Sequence, residues 1–259
     1  PYGMRKAIYI TLVEFIQRCT VGFMDYVILP SEHSSQLFKR RYPDFKGLKR
    51  VAPLLVQDQR VFKYKKRRFF SLVGTANPAT GHDIFVELIN YVAAKGLDYE
   101  FAIISSSDIS KYYEKLSGPA RNIIKWVSKK IIADSEINEL IRGSYAIFRL
   151  NKEVAQSAVI PDSFMNETPV IVRDIPGLRQ HVNNKHDGYI VSSDCNPEEL
   201  CMAMNFIKDN FLELSKNARN SYEKTWAEWN WDKYYGWLTE ILTNDVKQSQ
   251  IEKNNILRS

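Results

Sequence analysis

Short runs of β-branched and aromatic residues alternate along the chain with longer stretches whose apolar positions recur every three or four residues. Over residues 5–22, Ile8, Leu12, Phe15, Ile16 and Cys19 fall near helical spacing and predict a helix. Tyr26–Leu29 predicts a strand closed by Pro30, and Ser31 an N-cap for a helix over about 32–41. Val51–Val56 reads as a strand interrupted by Pro53, and the charged segment 57–68, with little apolar pattern, as a linker. Beyond it the rhythm sharpens. Strands over Phe69–Val73, Glu100–Ile104, Tyr145–Leu150, Pro169–Val172 and Tyr189–Val191 alternate with helices over 82–95, 120–130, Ser135–Ile141 (capped by Ser135), 156–166 and Pro176–Val182. Asn196-Pro197-Glu198-Glu199 opens a late helix with a cap, a proline at the first helical position and acids in the first turn. Two or three helices finish the chain, and the polar stretch 244–259 predicts a frayed tail. This alternation builds βαβ units, because parallel neighbours need a long crossover. The predicted fold class is α/β, a doubly wound, Rossmann-like parallel sheet that takes its ligand in the crevice at the carboxyl ends of the strands.

Composition bounds the picture. With 44% hydrophobic and 25% charged residues, the 259-residue chain is globular rather than disordered. No run of 18 apolar residues predicts a membrane-crossing helix. No signal peptide follows the first six residues, and the missing initiator Met suggests a fragment. Lys and Arg outnumber Asp and Glu by 36 to 30. The excess gathers in Lys39-Arg40-Arg41 and in Lys63, Lys65, Lys66, Arg67 and Arg68, which read as solvated charge or as attractors of phosphate-rich partners. No nucleic-acid signature accompanies them, so no nucleic-acid partner is expected. Cys19, Cys195 and Cys201 share no Cys-x-x-Cys motif and predict reduced thiols in the cytoplasm. The four histidines have no metal-ligand spacing; His181 and His186 read as surface residues, and His82, at a helix start, as solvent-facing. No metal site is predicted.

Four segments after residue 68 fall in a recognisable order. They are Phe70–Asp83, with the loop Gly74-Thr75-Ala76-Asn77-Pro78-Ala79-Thr80-Gly81; Asp134–Ile141; Asn151–Asp162 running into Thr168-Pro169-Val170-Ile171-Val172-Arg173-Asp174-Ile175-Pro176-Gly177; and Asp187-Gly188-Tyr189-Ile190-Val191. Together they resemble the donor-binding C-terminal domain of the retaining GT-B glycosyltransferases with an E-x7-E signature (group 1, family four). Trp229-Asn230-Trp231 with Tyr234 and Tyr235 is similar to the end of that family, and residues 5–56 to the last part of its N-terminal domain. The resemblance implies a division into 1–56 (end of a partial acceptor-side domain), 57–68 (basic linker), 69–228 (nucleotide-sugar domain), 229–243 (aromatic helix crossing back) and 244–259 (tail). Trp226, Trp229, Trp231, Tyr234, Tyr235 and Trp237 then stitch the last helix across both domains.

The resemblance also implies roles. Gln156, Ser157 and Ala158 open the helix whose free amides would hold a diphosphate. Asp162 takes the place of the second Glu, which grips the ribose. The first Glu position falls on Val154, leaving its neighbour Glu153, in a Glu153-x8-Asp162 pair, to orient the donor sugar. The loop cations of the family are replaced by Thr75 and Thr80, so Arg149, Lys152 or Arg173 would have to supply positive charge. Gly74 and Gly81 suit a backbone approached closely by a ligand or a tight turn. Asp174–Gly177 is similar to the loop near the donor sugar.

The activity implied is transfer of a hexose-type sugar from a nucleoside diphosphate to a glycan or lipid-linked acceptor with retention, as in polysaccharide biosynthesis. It uses no cofactor beyond the sugar nucleotide. The setting implied is cytoplasmic, at the inner face of an anionic membrane. The missing cations and displaced first Glu leave a second reading open: a weak or inactive relative that binds nucleotide sugars or acts as a scaffold.

Overall fold

The computed structural model describes residues 2–59 and 66–256. A small sheet pairs β1 (Tyr26–Leu29) with β2 (Leu48–Val51) in parallel, from Tyr26↔Leu48 to Leu29↔Val51. It follows α1 (Tyr2–Gly22) and is bridged by α2 (Glu32–Arg41). Ser31 caps α2 by accepting the Ser34 amide at 3.1 Å, and Lys39, Arg40 and Arg41 occupy its last turn, where the helix dipole favours cations. β2 lies earlier than the expected 51–56. Its ladder closes where Ala52 N–H donates to Leu29 O, just before Pro53, which has no N–H to extend it.

Six parallel strands form the main sheet. They are β3 (Phe69–Val73), β4 (Glu100–Ser105), β5 (Ile124–Ser128), β6 (Ser144–Arg149), β7 (Val170–Arg173) and β8 (Gly188–Val191), in the order β5-β4-β3-β6-β7-β8. The chain steps outward from β3 to β5 and then returns to β6 on the other side of β3. The order therefore reverses between β3 and β6, and a crevice opens there at the carboxyl ends.

Alternation along the strands divides the core into two layers. Phe70, Leu72, Phe101, Ile103 and Phe148 pack on one face, with α3 (His82–Ala94), α4 (Ser110–Tyr113), α5 (Gly118–Asn122) and α9 (Pro197–Asp209). Val73, Ile104, Ile147, Val170 and Val172 pack on the other, with α6 (Asp134–Arg142), α7 (Val159–Met165), α8 (Pro176–Arg179) and α10 (Phe211–Tyr222). Asn196 caps α9 by accepting the Glu199 amide at 2.9 Å.

Three expectations are corrected. Residues 120–130 are not a helix: Ile124–Ser128 is the outer strand β5, paired with β4 from Phe101↔Ile124 to Ser105↔Ser128. Ile124 and Trp126 turn to the core while Lys125 faces solvent, a period of two. Helix α6 starts two residues early, with Ala133 as its cap residue in place of Ser135; the Glu136 carboxylate accepts the Ala133 N–H at 3.1 Å. At the end of the chain, a π-helical turn over Glu223–Ala227 precedes α11 (Trp231–Ile256), which continues well past the expected end at 243.

The aromatic group does not stitch as a unit. Trp226 is buried between Phe164 and His181. Trp229, Tyr234 and Trp237 pack on one another, and Trp231 and Tyr235 are each 58% exposed. The small sheet is joined to the main one elsewhere. Tyr222 Oη donates to Val56 O at 2.8 Å, Arg219 pairs with Asp58 at 2.6 Å, and His33 N–H donates to Gln180 Oε1 at 3.4 Å. Of the linker, residues 60–65, including Lys63 and Lys65, lie outside the described residues.

Candidate functional site

The reversal point is built by two loops laid against each other. Gly81 has φ +77°, and a Cβ there would stand 2.2 Å from Leu150 O. The loop after β3 therefore lies directly on the end of β6, and only glycine fits. Lys152 N–H fastens it by donating to Ala79 O at 2.7 Å. From the other side, a Cβ on Gly177 of α8 would stand 1.8 Å from Val154 O. Residues 150–155 are thus clamped between loop 74–81 and α8. Thr75 is exposed on this loop, whereas Thr80 Oγ1 bonds Asn77 O and the His82 ring, each at 2.8 Å. Glu153 is exposed in the clamped segment.

Arg149 ends β6 beneath Gly74. Its guanidinium donates to Val73 O at 2.8 Å and stands 3.5 Å from where a Gly74 Cβ would be. Its Nε is buried without a partner among the described residues. Burial brings its pKa down to about 10, so it remains a cation at neutral pH. Arg173 goes elsewhere. Arg149 is paired with Val172, so the next residue, Arg173, points to the opposite face of the sheet. There its charge lies beside Cys195, with Nε and one terminal nitrogen buried without partners among the described residues. The two arginines do not converge. Lys152 reaches the rim, held by Asp83 at 2.6 Å.

Two histidines read as solvent-facing are drawn inward. His82 is 1% exposed, and burial, with Arg149 nearby, lowers its pKa to about 4. His181 bonds Gln156 Oε1 through Nε2 at 2.8 Å, and burial lowers its pKa to about 4 as well. His186 is exposed. These buried histidines carried no local sign in the sequence beyond their neighbours' polarity.

The segment 156–158 is not a helix start. Helix α7 begins at Val159, with Ala158 as its cap residue and no side-chain cap. The chain before α7 lies against Gly177 at Val154 and accepts the Gln180 Nε2 donation at Ala155 O, 3.4 Å away. Gln156 turns to His181, and Ser157 is 2% exposed with its Oγ unpartnered among the described residues. Ala158 is exposed and lines a cavity of about 250 Å³ together with Asp162, Asp134, Val56 and Asn138. Burial, with Asp134 adding like charge, raises the Asp162 pKa to about 6.

This cavity shares Ile137 with a second, of about 320 Å³, lined by Val73, Gly74, Ile104, Ile131 and Ile132. The second cavity is mostly apolar, with Ser106 and Lys130 also on its wall, and the first carries the two carboxylates Asp134 and Asp162. Glu153 lines neither cavity. The sequence reading missed Ile131, Ile132 and Ile137 as lining residues, because they meet only in the assembled structure, two in the connection after β5 and one on α6. Among the described residues no group of three or more His, Cys, Asp or Glu side chains could hold a metal, and no helix is long and apolar enough to cross a membrane.

No protein-family model and no curated protein matches the chain. Solved structures do. TarM superposes with a TM-score of 0.68 at 15% identity, over 86% of this chain and 45% of TarM. Sucrose-phosphate synthase from Thermosynechococcus elongatus superposes at 0.70 and 15%, over 90% of this chain and 62% of that one. The pneumococcal O-GlcNAc transferase GtfA, solved in complex with UDP and GlcNAc, superposes at 0.67 and 13%, over 88% and 47%. The chain thus spans between 45% and 62% of the length of these three proteins. At such identities the likeness is one of fold. With its six parallel strands reversing between β3 and β6 and its helices on both faces, the chain has the Rossmann-like α/β fold seen in GT-B glycosyltransferases.

Proposed function

We propose that this chain forms the donor side of a retaining, hexosyl-type glycosyltransferase, moving a sugar from a nucleoside diphosphate to a glycan or lipid-linked acceptor. The observation that carries the reading is the pair of cavities that meet at Ile137 of α6, one mostly apolar beside Gly74 at the carboxyl end of β3 and one carrying Asp134 and Asp162. The fold shared with sugar transferases supports it.

In this reading the nucleobase lies against Ile104, Ile131 and Ile132, and Asp162 accepts the ribose hydroxyls. Arg149 supplies fixed positive charge below Gly74, with Thr75 and Thr80 offering hydroxyls and Ala158 a backbone amide to the phosphates. Gln156 and Ser157 shape the floor, Glu153 orients the sugar, and Arg173 acts at a distance from the diphosphate. The acceptor oxygen attacks the anomeric carbon as its bond to the leaving phosphate breaks. The bonding pair leaves with the nucleoside diphosphate, whose phosphate oxygen takes the acceptor proton. No metal or further cofactor takes part. The protein works in the cytoplasm, with Lys39, Arg40 and Arg41 toward an anionic membrane surface where lipid-linked acceptors lie.

Calorimetry with UDP and GDP tests this. The expected result is binding that weakens at least tenfold in Asp162→Ala; no nucleotide binding at millimolar concentration overturns it. A second reading, a nucleotide-sugar-binding scaffold without turnover, is favoured by the exposed, cation-free tip at Thr75 and by Lys152 being engaged by Asp83. Loss of one fixed oxyanion-hole donor costs about 2.7–4 kcal/mol in a serine protease, which sets the scale for a missing charge here. Donor hydrolysis or transfer that disappears in Asp162→Ala or Glu153→Ala excludes the scaffold.

A further inference from the structure

Of the basic cluster at 63–68, the described residues Lys66, Arg67 and Arg68 have no place in the crevice, because they precede β3 at the other end of the strands. The structure divides the described part of it by task. The Arg67 guanidinium donates to Ile141 O, Ser144 O, Thr168 Oγ1, Asn166 O and Glu167 O, and so ties the starts of β6 and β7 together. Arg68 is paired with Glu100 at 2.6 Å. Lys66, by contrast, is exposed on the wall of a cavity of about 470 Å³, which Lys208 enters from the end of α9. That volume is within the usual range for small-ligand pockets.

The wall of this cavity is aromatic. Tyr145 stacks on Phe70 at 5.7 Å and 25°, and Tyr99 meets Phe70 edge-on at 5.6 Å. Lys208 Nζ lies 5.3 Å from the Tyr99 ring centre. Asp98 and Glu100 add carboxylates to the lining, but Glu100 is paired with Arg68 and Arg67 is held by the strand starts, so Lys66 and Lys208 stand against Asp98. The half-buried Tyr99 and Tyr145 leave some apolar ring surface for C–H contact, and the lining adds both donors and acceptors for hydroxyls and a surplus of positive charge. Those are the requirements of one ligand class: a saccharide that carries carboxylate, sulfate or phosphate groups. A plain inorganic anion would use neither the rings nor the carboxylates.

We infer that the amino-terminal edge of the main sheet holds an acidic-saccharide site, formed by Lys66, Lys208, Tyr99 and Tyr145. It lies roughly 20 Å from the crevice, the length of a six-residue strand. The site stands whether or not sugar is transferred at the other edge.

Titration of the whole chain with a heparin-derived hexasaccharide and with a neutral dextran of equal length tests the assignment. The acidic sugar binds and the neutral one binds at least tenfold more weakly. Lys66→Glu with Lys208→Glu, both on exposed side chains, lowers affinity for the acidic sugar at least tenfold. Lys39→Glu with Arg40→Glu, which removes the same charge from the other basic cluster, leaves it within twofold. Absence of binding at millimolar sugar overturns the site. So does an equal loss in the Lys39/Arg40 variant, which would mean diffuse charge attraction. Loss of binding in Asp162→Ala would place the sugar in the crevice instead, and tighter binding of a single-stranded oligonucleotide through the same two lysines would reassign the site to nucleic acid.

Discussion

Asp162 and the two inward histidines pull the stability of the protein in opposite directions with pH. The Asp162 carboxyl titrates near 3.8 when unfolded and near 6 when folded. Between those values the folded state holds more protons, so stability falls as pH rises through that window, and above it the native state carries a desolvated charge. A shift of about two units corresponds to roughly 3 kcal/mol before solvent screening reduces it. Asp162→Asn is therefore expected to raise the Tm at about pH 8 and to change it little at about pH 4. The same substitution weakens nucleotide binding if the carboxylate grips a ribose, so scanning calorimetry and titration should move in opposite senses. His82 and His181 are lowered from 6.5 to about 4. Their contribution is complete above pH 6.5 and is lost as pH falls toward 4, because the unfolded chain binds the protons first. Urea midpoints should drop across that interval, and His181→Gln should shrink the drop; an unchanged drop would remove His181 from the account.

At the scale of elements, close backbone approach decides where the loops lie. Gly96 and Gly81 both have positive φ, but a Cβ at Gly96 would meet nothing within 4 Å, whereas at Gly81 it would strike Leu150 O. Gly96→Ala is expected to cost only the left-handed backbone penalty of about 1–2 kcal/mol. Gly81→Ala adds a displacement of the loop from β6, about 1–3 kcal/mol more. Gly177→Ala, with ordinary φ and a 1.8 Å clash on Val154 O, isolates the steric part. Denaturant unfolding of the three variants checks the ranking, and nucleotide titration should show the larger loss for Gly81→Ala, since its loop begins at Gly74 on the cavity wall.

For the whole molecule, the small sheet and the main sheet are coupled through α10. Tyr222 is fully buried, and its hydroxyl donates to Val56 O; Arg219 joins Asp58, Glu223 and Met165 O. Tyr222→Phe leaves Val56 O without that donor and should cost about 0.5–1.5 kcal/mol. Its local consequence is faster proteolysis near residues 55–59, which limited digestion reads directly. Trp226→Ala empties a buried site between Phe164 and His181 and should cost about 3–5 kcal/mol, felt as a lower Tm for the whole chain.

Periodicity, caps and turn residues were enough to read β3, α3, β4, β6, β7 and β8, the Ser31 and Asn196 caps, and the doubly wound class, because each of those signals lies within one short stretch of chain. Asp162 and Arg149 were singled out by the resemblance of the ordered segments to a known family, not by periodicity. The local signals could not decide that Ile124–Ser128 is a strand, since a short apolar run suits helix and strand alike until β4 offers its hydrogen bonds. Nor could they show that α7 starts at Val159 rather than Gln156, that strand register turns Arg173 away from Arg149, or that His82 is buried. Each of those outcomes depends on atoms brought together from distant parts of the chain, so only the assembled sheet and its clamped loops determine them.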